Sequence, residues 1–409
     1  MAILIMRKKI IAIIITIAAL LLLTSARQRA VPHPSPTFSG NIVRIFQQNC
    51  QSCHHTGGIA PFSLMTYGDA FPWAEQIKFM TRTRQMPPWK AAPGCGEFVE
   101  ERRLAQSDID TIASWVDAGA PEGDRNLIPL PLQFDERWSL GQPDMVLSMS
   151  KSFTPPVNRD EYRCFSLPAT NGVEKWISTI DFRPGDPTTV HHIVVFLDVK
   201  GVSASMDRDG SGFQCFGGAV FDGVDLIGAW SPGARPIPVP EGSGVRLPAQ
   251  SRVVMQVHYH PHRAVAAPDR TEMGIYFAKS EVTHPMYYEI LANTSLAIPA
   301  QASNYRVEAT AVLEQGIHLI SVYPHMHLLG RSMNIDATLP DGTHLCLIQV
   351  PQYEFNWQGA YVFKSPVALP AGTRIHVEAR YDNPTDAIVR WGEATTDEML
   401  VAAFGFSVD

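Results

Sequence analysis

Three short stretches gather histidines in this chain of 409 residues. "VHHIVVF" carries His191 and His192, "QVHYHPH" carries His258, His260 and His262, and "HMH" carries His325 and His327. Neutral imidazole is the commonest metal ligand among side chains, although a lone histidine is more often a satisfied core or surface residue. Three paired groups among only 14 histidines shift that balance towards metal. Each group lies in or at the end of a strand-like run, where alternate side chains share a face. His325 and His327 can therefore reach one ion. The same alternation would make a three-pronged claw of His258, His260 and His262. His191 and His192 point to opposite faces of a regular strand, so their joint use requires a bulge or a strand end. Pattern alone leaves open which groups cooperate.

A second chemistry stands near the N-terminus. "CQSCHH" holds Cys50, Cys53 and His54 in the C-x-x-C-H arrangement of a c-type haem attachment. The two thiols would form thioethers to the porphyrin, and His54 would reach the iron. Met86 in "RQMPPW" is the candidate sixth ligand, because the prolines hold it in an extended segment. Met65 and Met80 read instead as core residues. A thioether ligand would raise the iron potential.

The elements that must position these groups divide the chain by character. Arg7, Lys8 and Lys9, the apolar run 10–23 and the small residues of "TSA" (24–26) form an export signal. An uncleaved anchor is the alternative, and either sends the remainder out of the cytoplasm, to the periplasm or the medium. Residues 27–40 read as a polar linker. From 41 to 125 the pattern is helical. In the last helix Ser107 is the expected N-cap, with Ile109, Ile112, Ala113 and Val116 on one side and Gly119 and Pro121 as the stop. Beyond residue 126, short alternating runs such as "KWISTIDF", "SRVVMQVHYH" and "TRIHVEARYDN" sit between Pro and Gly turns. That spacing predicts two all-β sandwiches of jelly-roll type, 126–290 and 291–409, after a small all-α unit. A net charge of −7 argues against nucleic acid as a partner.

"VHHIVVF", "QVHYH", "HMHLLGRSM" and "TTDEML" follow one another in an order that resembles the copper type II monooxygenases. "EYRCFSLP" and "GAWSPGARP" resemble further segments of that family, and the likeness runs over about 135–409. It implies one copper held by His191, His192 and His258, and a second held by His325, His327 and Met399. His260 and His318 match family histidines that are not ligands, and His262 has no family role. Imidazole suits copper in both oxidation states, and a thioether favours Cu(I). The implied reaction inserts one oxygen atom of dioxygen into a C–H bond and reduces the other to water. In the family the two coppers face each other across an open cleft. The 41–125 segment likewise resembles a small cytochrome c domain.

The chain also departs from this pattern. Where the peptide-amidating members grip a substrate carboxylate, it has Tyr323, Val401 and Ala403, which implies a small apolar or aromatic substrate. Arg331 and Tyr323 are candidate pocket residues. Cys164 keeps a family position in "YRC", its usual partner is missing, and Cys215 is the alternative. Cys95 and Cys346 have no evident role. Animal members take electrons from ascorbate, whereas this chain pairs two coppers with one covalent haem. The expected route is from a periplasmic electron donor, through the haem and the first copper, to the second. A non-catalytic electron-transfer or copper-binding protein is the alternative. A haem sensor with a β-sandwich module is a third reading that leaves Met399 unexplained.

Overall fold

The computed structural model describes residues 35–134, 138–170, 172–260 and 267–408. The export segment, most of the 27–40 linker and His262 lie outside these residues. Among the described residues no helix is long and apolar enough to cross a membrane.

A small helical unit comes first. Its elements are a turn at Phe38–Ile42, α1 (Val43–Asn49), α2 (Ala74–Arg82) and α3 (Gln106–Asp117). The end of the expected linker already belongs to it, since Phe38 and Ser39 are buried and Thr37 caps the turn. Phe38, Phe46, Ile112 and Trp115 fill the core, and the Trp115 indole donates to the Pro121 carbonyl at 3.0 Å. In α3 the expected side is buried, with Trp115 added to it. The cap differs from expectation. The Ala105 carbonyl accepts from the Asp108 and Ile109 amides, so the helix begins ahead of Ser107 and has no side-chain cap.

The stretch 89–104 leaves the helices and lies on the far β module. Phe98 bridges Phe363, the Val99 amide donates to Val362, and the Lys364 amide donates to Glu97. A Cys95–Cys346 disulfide staples it there, giving both cysteines the role that the sequence did not reveal.

Among the described residues after 144, all is strand and connection apart from one short helical turn at Ser203–Met206. A five-stranded sheet centres on β1 (Glu161–Thr170), β2 (Val190–Asp198) and β3 (Gln250–Tyr259), with β3 between the other two. A Cys164–Cys215 disulfide pins the segment that covers it. A four-stranded sheet belongs to the second half, and its strand Arg374–Asn383 shows simple alternation, with Ile375, Val377, Ala379 and Tyr381 inward. Both sheets pack on one eight-stranded sheet that runs through both halves. Its second half contains β4 (Ile317–His325), β5 (Tyr361–Leu369) and β6 (Val401–Ser407). The strand Ser243–Leu247 pairs in parallel with His284–Ala292, and that seam makes the two sandwiches continuous. Two apolar cores result, one around Leu167, Val195 and Met255 and the other around Val322, Ile335 and Val377.

Candidate metal centres

The first centre lies at the end of the five-stranded sheet. His258 on β3 pairs with His192 on β2 and with Tyr162 on β1, so all three side chains leave the same face. The β2–β3 register shifts between Val190 and His192. That bulge is the irregularity which adjacent histidines need to share a site. His191, His192 and His258 can place their ligand atoms within 4.8 Å of one another. His192 Nδ1 stands 3.2 Å from His191 Nδ1 and 3.4 Å from His258 Nδ1. Three nitrogens about 2.0 Å from one ion would stand roughly 3.3 Å apart, so the imidazoles are already set for metal. Tyr162 lies flat on the His258 ring, with centroids 4.1 Å apart. Phe355, from the second sandwich, stacks on His191 at 4.8 Å.

His258 is nearly inaccessible at 1% exposure. Burial lowers its affinity for a proton, and burial with neighbouring imidazoles lowers that of His192 much further. Both rings are therefore neutral at pH 7. His260, next in the alternation, turns to the Asp160 carboxylate at 2.6 Å. Asp160 is held far below the ordinary carboxylate range: burial opposes its charge, but His258, His260 and Thr395 favour it more.

The second centre grows from the end of β4. His325 Nδ1 donates to Gln358 Oε1 at 2.6 Å, and His327 Nδ1 lies 3.2 Å from the Asp397 carbonyl. Each ring thus keeps Nε2 for a metal. Burial and the neighbouring imidazole push His325 down to about 3. Burial pushes His327 down to about 4. Glu398 is fully buried and accepts from the backbone amides of His327, Leu329 and Met399, so one carboxylate fixes the ends of both ligand-bearing segments. Its burial raises it to about 7.

His192, His325, His327 and Met399 line one cavity of about 540 Å³ between the sandwiches. Tyr323, Val401 and Ala403 also line it, as do Trp89 and Arg102 from the stapled 89–104 stretch. Arg331 instead pairs with Asp382 at 3.0 Å. The His192 and His325 ring centroids are only 6.4 Å apart. The centres therefore adjoin at this cavity, and Phe355 and the 393–395 segment carry contacts from the second sandwich to the first. Gln358, Glu398, Asp160 and Phe355 were not singled out in the sequence. Glu398 alone carried a local signal, through its place in "TTDEML".

The C-x-x-C-H residues belong to the helical unit. Cys50 and Cys53 are free thiols on the turn after α1, and the His54 amide donates to the Cys50 carbonyl. His54 Nδ1 is 3.1 Å from the Phe62 carbonyl, which leaves Nε2 available. Burial raises the Cys50 thiol to about 12. Met86 is half-buried in the turn beyond α2.

Fold and sites together define a two-sandwich protein with paired histidine centres at the junction. Its second sandwich carries the mark of one family. Residues 285–404 match the model described as "Copper type II ascorbate-dependent monooxygenase, C-terminal domain". Peptidyl-glycine alpha-amidating monooxygenase A of Xenopus laevis is 24% identical over 270 residues, covering 64% of this chain and 28% of that protein. The mouse peptidyl-glycine alpha-amidating monooxygenase is 26% identical over 46% of this chain and 19% of its own length. DBH-like monooxygenase protein 1 of mouse is 23% identical over 53% of this chain and 39% of its own. The chain thus spans a minor part of each relative's length. These relatives are monooxygenases by name.

Proposed function

We propose that the chain is a copper-dependent monooxygenase that hydroxylates a C–H bond of a small apolar or aromatic molecule. The observation that carries this reading is the junction itself. His192, one of three imidazoles set for one ion, meets His325, His327 and Met399 in a single largely apolar cavity. The reaction balances as R–H + O2 + 2e⁻ + 2H⁺ → R–OH + H2O. Copper at the two centres would supply one-electron redox chemistry and, at the His-His-Met centre, a place for dioxygen.

The chain's own residues do the rest. Gln358 and the Asp397 carbonyl hold the Nδ1 protons of His325 and His327, so both rings present Nε2. Burial keeps these rings neutral, and no proton competes with metal near pH 7. Tyr323, Val401 and Ala403 give the cavity an apolar wall, which favours substrates without a carboxylate.

We infer further that Cys50, Cys53 and His54 hold a covalent haem with Met86 as sixth ligand, and that an exported donor delivers electrons through it. Four of the six cysteines are paired, while these two remain thiols. His54 is oriented through Nδ1, as a metal-ligating histidine requires. A Cβ at Gly58 would stand 2.3 Å from the Cys53 carbonyl, so the loop around the motif closes tightly. The test is expression with a haem-attachment system in a periplasm, metal analysis, and oxygen uptake with aromatic and aliphatic candidates. Two coppers, one haem and uptake that needs both substrate and reductant are expected. Copper and haem binding without uptake would favour a non-catalytic carrier.

A further inference from the structure

Asp160 stands just before β1, and its carboxylate touches residues of both sandwiches. Oδ1 is 2.6 Å from His260 Nδ1. Oδ2 is 3.4 Å from His258 Nε2 and accepts a hydrogen bond from the Thr395 hydroxyl. Thr395 belongs to the segment of the second sandwich that leads to Met399. Two residues beyond Asp160, the Tyr162 hydroxyl donates to the Glu393 carbonyl of that segment at 2.9 Å.

Asp160, His258 and His260 could also be read as a third metal site, since their ligand atoms lie within 4.8 Å. The distances oppose this. Two ligand atoms on one ion stand roughly 3.3 Å apart, whereas 2.6 Å is a charge-assisted hydrogen bond. The alternative role follows from the His258 tautomer. With Nδ1 turned to His191 and His192, a neutral ring carries its proton on Nε2. That nitrogen is buried and makes no well-aligned hydrogen bond, and the Asp160 carboxylate faces it. A carboxylate behind a ligating imidazole fixes both ring orientation and tautomer, and its loss commonly weakens metal binding about 10- to 100-fold.

We propose that Asp160 is a positioning residue shared by both centres. Through His258 it sets the ring that completes the three-imidazole centre. Through Thr395 it ties that ring to the segment that delivers Met399. The inference rests on the copper reading above.

Copper alone is the probe, titrated into metal-free full-length protein against a competing chelator and followed by electron paramagnetic resonance. Asp160→Asn should bind the three-imidazole copper about 10- to 100-fold more weakly, with an altered hyperfine pattern and an unchanged circular dichroism spectrum. Thr395→Val should weaken copper at both centres by about 2- to 10-fold, and Thr395→Ser should restore it. Wild-type affinity and spectrum in a folded Asp160→Asn protein would overturn the proposal. So would a Thr395→Val effect confined to one copper, and the Thr395 pair decides the matter if Asp160→Asn does not fold. Wild-type protein that binds no copper at the three-imidazole centre would overturn the copper reading, and the inference with it. Two coppers held equally well by all variants would overturn the inference alone.

Discussion

The two centres are built in opposite ways. In the first, backbone pairing brings three histidines together: His192 faces His258 across a register, and the bulge before His192 adds His191. Their Nδ1 atoms point inward, and ring stacking by Tyr162 and Phe355 holds them. In the second, loops do the work. His325 and His327 turn Nδ1 outward to Gln358 and the Asp397 carbonyl, and Glu398 gathers the backbone of both segments. Each centre should therefore answer to its own outer partners, Asp160 behind the first and Gln358 behind the second. The variants below are chosen to break that contrast.

The largest effect is expected from His325→Ala. Copper content should fall from two per chain to one, and substrate-dependent oxygen uptake should vanish, while the three-imidazole copper keeps its spectrum. Metal analysis and an oxygen electrode check this. Gln358→Leu comes next. It removes the acceptor for His325 Nδ1 and should weaken the second copper about 10- to 100-fold in a chelator competition, with the first unchanged. An equal loss at both centres would show that they are not separately built.

Acid should separate the groups by sign. An unfolded histidine takes a proton near pH 6.5, but folded His325 and His327 resist until about 3 and 4. The unfolded state therefore binds more protons in this window, and metal-free protein loses stability as pH falls from about 6.5 to about 4, by several kcal/mol in total. Glu398 works the other way. Raised from 4.5 to about 7, it contributes stability at low pH that is lost as pH rises through 7. Urea midpoints between pH 7 and 4.5 should thus fall more steeply in Glu398→Gln than in the parent. The smallest effect is expected from Tyr162→Phe, which keeps the stack on His258 and removes one hydrogen bond to Glu393. It should cost about 0.5–1.5 kcal/mol in urea unfolding.

Much of the architecture could be read along the chain, because its signals are local. Alternation in "TRIHVEARYDN" matched a strand with one buried face, and the apolar side of α3 was the side expected. Joint use of the adjacent pair at 191–192 required a bulge or a strand end, since side chains alternate on a regular strand, and the register shifts there. Of the claw suggested by "QVHYHPH", His262 lies outside the described residues and the other two histidines part company. His258 joins two histidines more than sixty residues away, while His260 answers to Asp160.

Residue types and short spacings thus marked the candidate atoms, paired imidazoles and a C-x-x-C-H turn, and the family resemblance added the buried methionine after "TTDE". Folding settled how those atoms are aimed. The continuous eight-stranded sheet, the Cys95–Cys346 staple, the 6.4 Å approach of His192 to His325 and the placing of Gln358, Glu398 and Asp160 all join residues distant in the chain. Periodicity assigns a side chain to a face. The nitrogen that a ring presents depends on the acceptor behind it, and only packing of the two sandwiches brings that acceptor into place.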